Sequence, residues 1–404
     1  MIPRHSLPFG VRGIFSALIS RDSNTSVSDV EKAYADALGV RGAVLFPSAR
    51  AGIHMSLQAA GEPDMNVAGP AYTCGTVHEA MGLSSARTRL ISPAANSFLM
   101  PAEGIHTASQ PGCSLVLSEV YGIPYDQETL QNASRKRPQL RIFDMAMSIP
   151  AQKRMQQLEA TDVALFSFGR GKPMYAGWGG VACLQNLELA DRVREIRDRS
   201  TDRESFGFGF QRSCSTVISI VSNGRCLYGL SHQHHLYRLY RNLNTVRNGH
   251  HQSDKVTTWN ASSQLSSPKW RQPMTALNQK LALHNLRGSM ENAELRRSQA
   301  EIYFRRLVKP GIVRGPGVEA LPQSHFPIRL PSRIRDAMSD YLRGRGIDTS
   351  TLFPIPQGLS RASYPGAADA ADEVITLPLG PTITVNEVEM ISGRVKDGLR
   401  VFGV

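Results

Sequence analysis

The feature that most constrains this chain is a regular exchange of short apolar runs for helical stretches, beginning near residue 26. Residues 26–38, Ser-Val-Ser-Asp-Val-Glu-Lys-Ala-Tyr-Ala-Asp-Ala-Leu, carry a polar cap, early acidic residues and an apolar face at helical spacing, and Gly39 can end the helix. A strand at Gly42–Phe46 follows, then a second helical stretch through His54, Leu57 and Ala60. Further runs of strand length recur at 65–68, 88–91, 114–118, 140–143 and 163–168, parted by helical or turn-rich sequence. Strands that alternate with helices build a mainly parallel sheet, so an α/β fold is predicted.

The second half is less regular. Residues 192–203 read as a basic helix, and Phe206-Gly-Phe-Gly-Phe opens a stretch to about Asn248, rich in aromatic, apolar and basic residues, that reads as an insertion. Residues 249–272 are polar and loop-like, and a long helical pattern runs from about Met274 to Leu307. A strand at 325–330, a helix at 334–345 capped by Gly346 and a final helix opened by Thr384 complete the pattern. At roughly 150 residues per domain, 404 residues allow two or three. The expected division is a large domain over 1–265, with the insertion at about 206–248, and a small C-terminal α/β domain over 266–404 that includes the long connecting helix.

Hydrophobic residues make up 41% and charged residues 20%, which excludes general disorder. The net charge of +12 fits nucleic acid, a membrane surface or an anionic small molecule, and charge alone does not choose among them. Five cysteines without a CxxC pair indicate neither a zinc ribbon nor a closed disulfide framework. The N-terminal residues lack a signal-peptide order and no apolar run reaches 18 residues, so a cytoplasmic location is expected.

Two segments carry candidate chemistry. The strand Leu140-Arg-Ile-Phe-Asp144 ends on a carboxylate, and the strand at 163–168 runs into Gly169-Arg-Gly-Lys172-Pro, with Gly177, Gly179 and Gly180 beyond. Ligands of open α/β sheets gather at the carboxyl ends of strands, so Asp144 and Lys172 can share one crevice. A desolvated lysine beside an acid suits Schiff-base chemistry. The other reading is a glycine-rich hairpin with a solvent-exposed lysine. A phosphate-cradling P-loop fails, because Phe166 stands at its first glycine and Pro173 follows the lysine.

Taken in order, the segments resemble the DegT/DnrJ/EryC1/StrS family of sugar aminotransferases, pyridoxal-phosphate (PLP) enzymes of fold type I. The resemblance rests on residues 47–54, Pro-Ser-Ala-Arg-Ala-Gly-Ile-His, on 70–76, Pro-Ala-Tyr-Thr-Cys-Gly-Thr, and on 121–126, Tyr-Gly-Ile-Pro-Tyr-Asp. It continues through Phe143-Asp-Met-Ala, Phe166-Ser-Phe, Lys172, Gly179-Gly180, Gly346-Ile-Asp-Thr and residues 377–384. It implies a large domain with a mainly parallel sheet, a small C-terminal domain, PLP as cofactor and a homodimer with shared active sites. By resemblance Lys172 and Asp144 are catalytic: Lys172 bonds the cofactor and shuttles the proton, and Asp144 pairs with the pyridine nitrogen. Ala49, Arg50 and Ser167 match the phosphate side.

The departures from the family pattern are equally specific. Arg50 replaces a hydroxyl residue of the phosphate turn; its guanidinium either binds phosphate or points elsewhere. Met147 stands where a polar residue is usual, and Cys74 where an aromatic stacks on the ring, with Tyr72 the candidate substitute. An asparagine supplied by the partner subunit is replaced in Lys269-Trp-Arg271-Gln, which makes Arg271 a candidate phosphate ligand. The implied reaction moves an amino group from a glutamate-like donor to a keto-sugar or related carbonyl, and a basic site suits both as anions. Elimination, replacement or decarboxylation of an amino acid uses the same cofactor. A non-catalytic PLP-fold regulator is the rival of another class, and retention of Lys172 with Asp144 argues against it.

Other signals have plainer readings. His232, His234, His235, His250 and His251 lack acidic or thiol neighbours at ligand spacing, and His78-Glu79 lacks the second histidine of a zincin, so no metal site is expected. Residues 135–137 and 192–203 read as solvated basic faces, which leaves the charge no evidence for nucleic acid. The insertion reads as dimer packing or a substrate lid, ahead of an interfacial helix on an anionic membrane.

Overall fold

The computed structural model describes the chain apart from residues 10–12, 17–25, 62–64, 86, 135–137, 204, 232–267, 309–312, 318–319 and 356–358. Its centre is a seven-stranded sheet made of β1 (Gly42–Phe46), β2 (Asn66–Pro70), β3 (Arg87–Ile91), β4 (Cys113–Ser118), β5 (Leu140–Asp144), β6 (Asp162–Ser167) and β7 (Gly180–Leu184). The strand order is β1-β7-β6-β5-β4-β2-β3. Every pair from β3 to β6 is parallel, while β7 runs antiparallel to both β1 and β6. β7 was not anticipated because its opening Gly180 belongs to a glycine cluster that reads as loop.

Alternate side chains along each strand enter opposite cores, as the two-residue repeat of a strand requires. Leu115, Leu117, Phe143, Ala164, Phe166, Val181 and Cys183 pack on one face with Val30, Tyr34 and Leu38 of the helix Val27–Leu38. Val116, Ile142, Val163, Leu165, Ala182 and Leu184 pack on the other with Ile53, Met55 and Leu57 of the helix Ala49–Ala59. Burial on both faces explains why these strands read as continuous apolar runs rather than alternating ones. The first helix opens as its sequence implies: Ser26 and Asp29 form a reciprocal capping box, and Gly39 closes it in the left-handed region at φ 64°.

A second, antiparallel sheet pairs β8 (His325–Arg329) with β9 (Val374–Pro378). Its core joins Phe326, Ile328, Ile375 and Leu377 to the helices Ser332–Arg343 and Val385–Val401. The helical pattern over 274–307 is broken at Gly288 into Ala276–Arg287 and Ser289–Tyr303. Leu281, Ala282 and Leu283 of the first helix sit in the large core, whereas Ala300 and Tyr303 of the second sit in the small one. The connecting segment thus changes core at a glycine. The basic stretch near 192–203 is the helix Leu187–Ser200, and the described part of the insertion forms the helices Phe206–Ser222 and Arg225–Ser231. The histidines at 232–235 and 250–251 and the basic triplet 135–137 lie outside the described residues.

Candidate active site

The carboxyl ends of β1, β4, β5 and β6 open onto a cavity of about 480 Å³. The register places the terminal residues side by side: Ser118 pairs with Asp144, and Ser167 pairs with Gly180 at the start of β7. Ser118, Asp144, Ser167 and Lys172 all line this cavity, together with Ser48, Ala49 and Arg50 from the turn after β1 and Cys74 from the turn after β2.

Asp144 is buried, and its carboxylate accepts hydrogen bonds from Ser118 Oγ at 2.9 Å and from the Ala146 backbone N–H at 3.2 Å. Desolvation raises its pKa above the ordinary carboxylate value, opposed by the positive charge of Lys172 and by the Ser118 bond. Lys172 is half-buried on the cavity wall rather than extended into solvent on a hairpin. Gly171 precedes it at φ 79°, a left-handed value that turns the chain beneath the lysine.

Three asparagines that sequence reasoning passed over hold this loop from behind. The side-chain amides of Asn278, Asn285 and Asn292 donate to the backbone carbonyls of Ala176, Tyr175 and Pro173, and all three side chains are buried. Their spacing of seven residues along the connecting helices was the available signal, since buried amides at that interval need acceptors on a facing element. Ser118 was also missed. Its cue was its place at the end of a strand, next to the strand that ends in Asp144.

At the turn after β1, Ser48 caps the helix Ala49–Ala59 by accepting from the Ala51 N–H at 3.3 Å. The first backbone N–H groups of a helix suit an anion. Arg50 lines the cavity, but its guanidinium donates to Glu79 Oε2 at 2.7 Å and lies 6.0 Å from the Trp270 ring, so its charge is already paired. Gly180 faces this turn so closely that an added Cβ would stand 2.7 Å from the Phe166 carbonyl oxygen and 2.9 Å from the Ala49 nitrogen. Both contacts are backbone and cannot yield cheaply. Gly180→Ala is therefore expected to cost about 1–3 kcal/mol in urea unfolding, and an unchanged midpoint would contradict this packing.

Two anticipated residues stand elsewhere. Tyr72 does not line the cavity: its hydroxyl shares a 2.6 Å hydrogen bond with the Tyr121 hydroxyl, and its ring sits 5.8 Å from that of Phe353 in a buried aromatic cluster. Phe353 is the aromatic of that cluster which lines the cavity, with an unusual φ of 60°. Arg271 lies outside the cavity of its own chain and is paired with Asp202 at 2.7 Å. Cys74 and Met147 do line it. Among the described residues no group of three or more His, Cys, Asp or Glu side chains is placed to hold a metal, and no helix is long and apolar enough to cross a membrane.

The fold has many solved counterparts. TlmJ, an aminotransferase from Streptoalloteichus hindustanus, aligns over 100% of both chains with a TM-score of 0.71 at 20% identity. The sugar aminotransferase CalS13 from Micromonospora echinospora aligns over 98% of this chain and 100% of its own, with a TM-score of 0.68 at 19% identity. NtdA from Bacillus subtilis, solved with the bound cofactor PMP, covers 96% of this chain and 82% of its own at a TM-score of 0.67 and 18% identity. These likenesses establish the fold of a PLP-dependent aminotransferase. The sequence profile of one family matches residues 20–226, which is half of the chain. The chain belongs to the DegT/DnrJ/EryC1/StrS aminotransferase family.

Proposed function

We propose that the protein is a PLP-dependent aminotransferase that moves an amino group from a glutamate-like donor to a keto-sugar or related carbonyl, with Lys172 and Asp144 as its catalytic residues. The observation that carries this reading is the shared cavity, in which a half-buried lysine faces a buried carboxylate beside a helix N-terminus. The residues present fit the cofactor. Asp144 offers a fixed acceptor, Ala49 and Ser167 stand on the side of the helix N-terminus, and Gly180 leaves that turn uncrowded. When bound, PLP supplies an electron sink for the bond-breaking step.

Lys172 would hold the cofactor through Nζ, and the same Nζ would serve to hold and move the proton. Asp144, kept in place by Ser118 and the Ala146 N–H, would accept a hydrogen bond from the protonated pyridine nitrogen and so favour its charged form. Ser167 and the backbone N–H groups at Ala49 and Arg50 bind the phosphate. Cys74 and Met147 lie along the wall. Arg271, outside its own cavity, is assigned to the neighbouring site of a homodimer, and the protein is placed in the cytoplasm.

Adding glutamate to the PLP-loaded protein is expected to abolish its visible absorbance and to release 2-oxoglutarate in equal amount. No spectral change with any amino donor would contradict the assignment.

A further inference from the structure

The cavity wall includes a helix of the insertion, anchored in the large core through Ile220. Arg212, Ser215, Thr216 and Ser219 of the helix Phe206–Ser222 line the same cavity as Lys172. The spacing of these four residues, three to four apart and then seven from first to last, puts them on one helix face. The opposite face carries the exposed Phe206, Phe210 and Ile218. A polar, cationic side is thus turned toward the cavity by a helix that exposes large apolar side chains on its other side.

The arginine is held as a recognition group. Its Cζ lies 3.8 Å from the centroid of Trp178, on the loop that follows Lys172, and 5.2 Å from that of Phe208. Stacking on a ring fixes the guanidinium plane while leaving its N–H edge free. Among the described residues Arg212 makes no ion pair, whereas Arg50, which lines the same cavity, is neutralised by Glu79. The mount is fixed as well: Thr216 Oγ1 donates to the Arg212 carbonyl at 2.9 Å and accepts from Asn278 Nδ2 at 3.1 Å, and Asn278 also holds the lysine loop. Partial burial lowers the arginine pKa, as expected of a cation short of compensating charge.

We infer that the insertion supplies, within the same chain, an oxyanion subsite in which Arg212, mounted on Trp178 with Ser215 one turn along the same cavity-lining face, binds a carboxylate or phosphate group of the substrate. This rests on the reading of the cavity as the aminotransferase site. A planar fork with five N–H donors matches either oxyanion, and the two sources are the donor's carboxylate and a phosphate on the acceptor.

The test uses the full chain with Arg212→Gln and Arg212→Lys, each checked for an unchanged melting temperature. Glutarate and inorganic phosphate are the probes, titrated by calorimetry with and without PLP, and PLP affinity is titrated separately. Loss of a charge-assisted bidentate contact weakens binding by about tenfold to a hundredfold. A loss of that size for glutarate alone places the donor carboxylate at Arg212; the same loss for phosphate alone places the acceptor there. Arg212→Lys is expected to restore only part of the affinity, because it keeps the charge and loses the fork. Unchanged affinity for both probes overturns the inference, as does a variant whose only defect is weaker PLP binding. Failure of the wild-type chain to bind PLP would instead overturn the aminotransferase reading, and the anion titrations without cofactor still decide the subsite.

Discussion

Replacing Lys172 with alanine is expected to abolish amino transfer, with turnover reduced by at least about 10²–10⁴-fold through loss of the proton-transferring group alone. No other lysine lines the cavity among the described residues, so no neighbouring amine stands ready to substitute. Lys172→Arg should fare no better, because a guanidinium stays protonated and cannot act as the base. The fold should tolerate either change, since Lys172 is half-buried and the loop is held through backbone carbonyls by Asn278, Asn285 and Asn292 rather than through the lysine side chain. Steady-state turnover with glutamate, together with cofactor retention after gel filtration, checks both halves of this expectation. Undiminished turnover would remove Lys172 from the chemistry.

Asp144→Asn should produce the second largest effect while preserving shape. Asparagine can still accept from Ser118, but it presents no charge to the pyridine nitrogen. PLP affinity is expected to fall about tenfold to a hundredfold, as for a lost hydrogen bond between charged partners, and turnover by about 10²-fold, as for removal of one preorganised electrostatic contact. The pH dependence has a definite sign. Burial raises the Asp144 pKa, so the carboxyl takes up its proton at a higher pH than an exposed aspartate would. Cofactor affinity should therefore weaken as pH falls through that raised value. Over the same range the Asp144 contribution to the stability of the cofactor-free protein has the opposite sign: it is present below the unfolded-state pKa and is lost as pH rises through the folded one. PLP titrations and urea unfolding at matched pH, on wild type and Asp144→Asn, separate the two. Wild type and variant with the same pH dependence of affinity would contradict the assignment.

The inner strands of the large sheet were legible because burial on both faces makes them compact apolar runs, and the turns between them carry glycine or cap residues. β7 was not, since Gly180 masks its start and it is inserted between β6, the strand just before it, and β1, which is distant in sequence. Asp144 and Lys172 were readable as residues that end a strand or follow one in a glycine-rich loop, which is where an open sheet gathers its ligands. Positions set by tertiary packing were harder. The place of Tyr72 is decided by its bond to Tyr121, 49 residues away, and that of Arg50 by Glu79. Neither partner is marked in the sequence. Phe353 reaches the cavity from the C-terminal part of the chain, and the insertion reaches it through Arg212, where composition indicated dimer packing or a substrate lid without singling out a residue.

The account turns on Lys172 as the amine that holds the cofactor, and one chemical measurement reads this directly. The full chain is incubated with PLP, reduced with borohydride to make the linkage permanent, digested, and mapped by peptide mass spectrometry. The phosphopyridoxyl mass is expected on the peptide that contains Lys172 and is expected to be absent from the Lys172→Ala protein. A label on another lysine, or none after complete reduction, would contradict it.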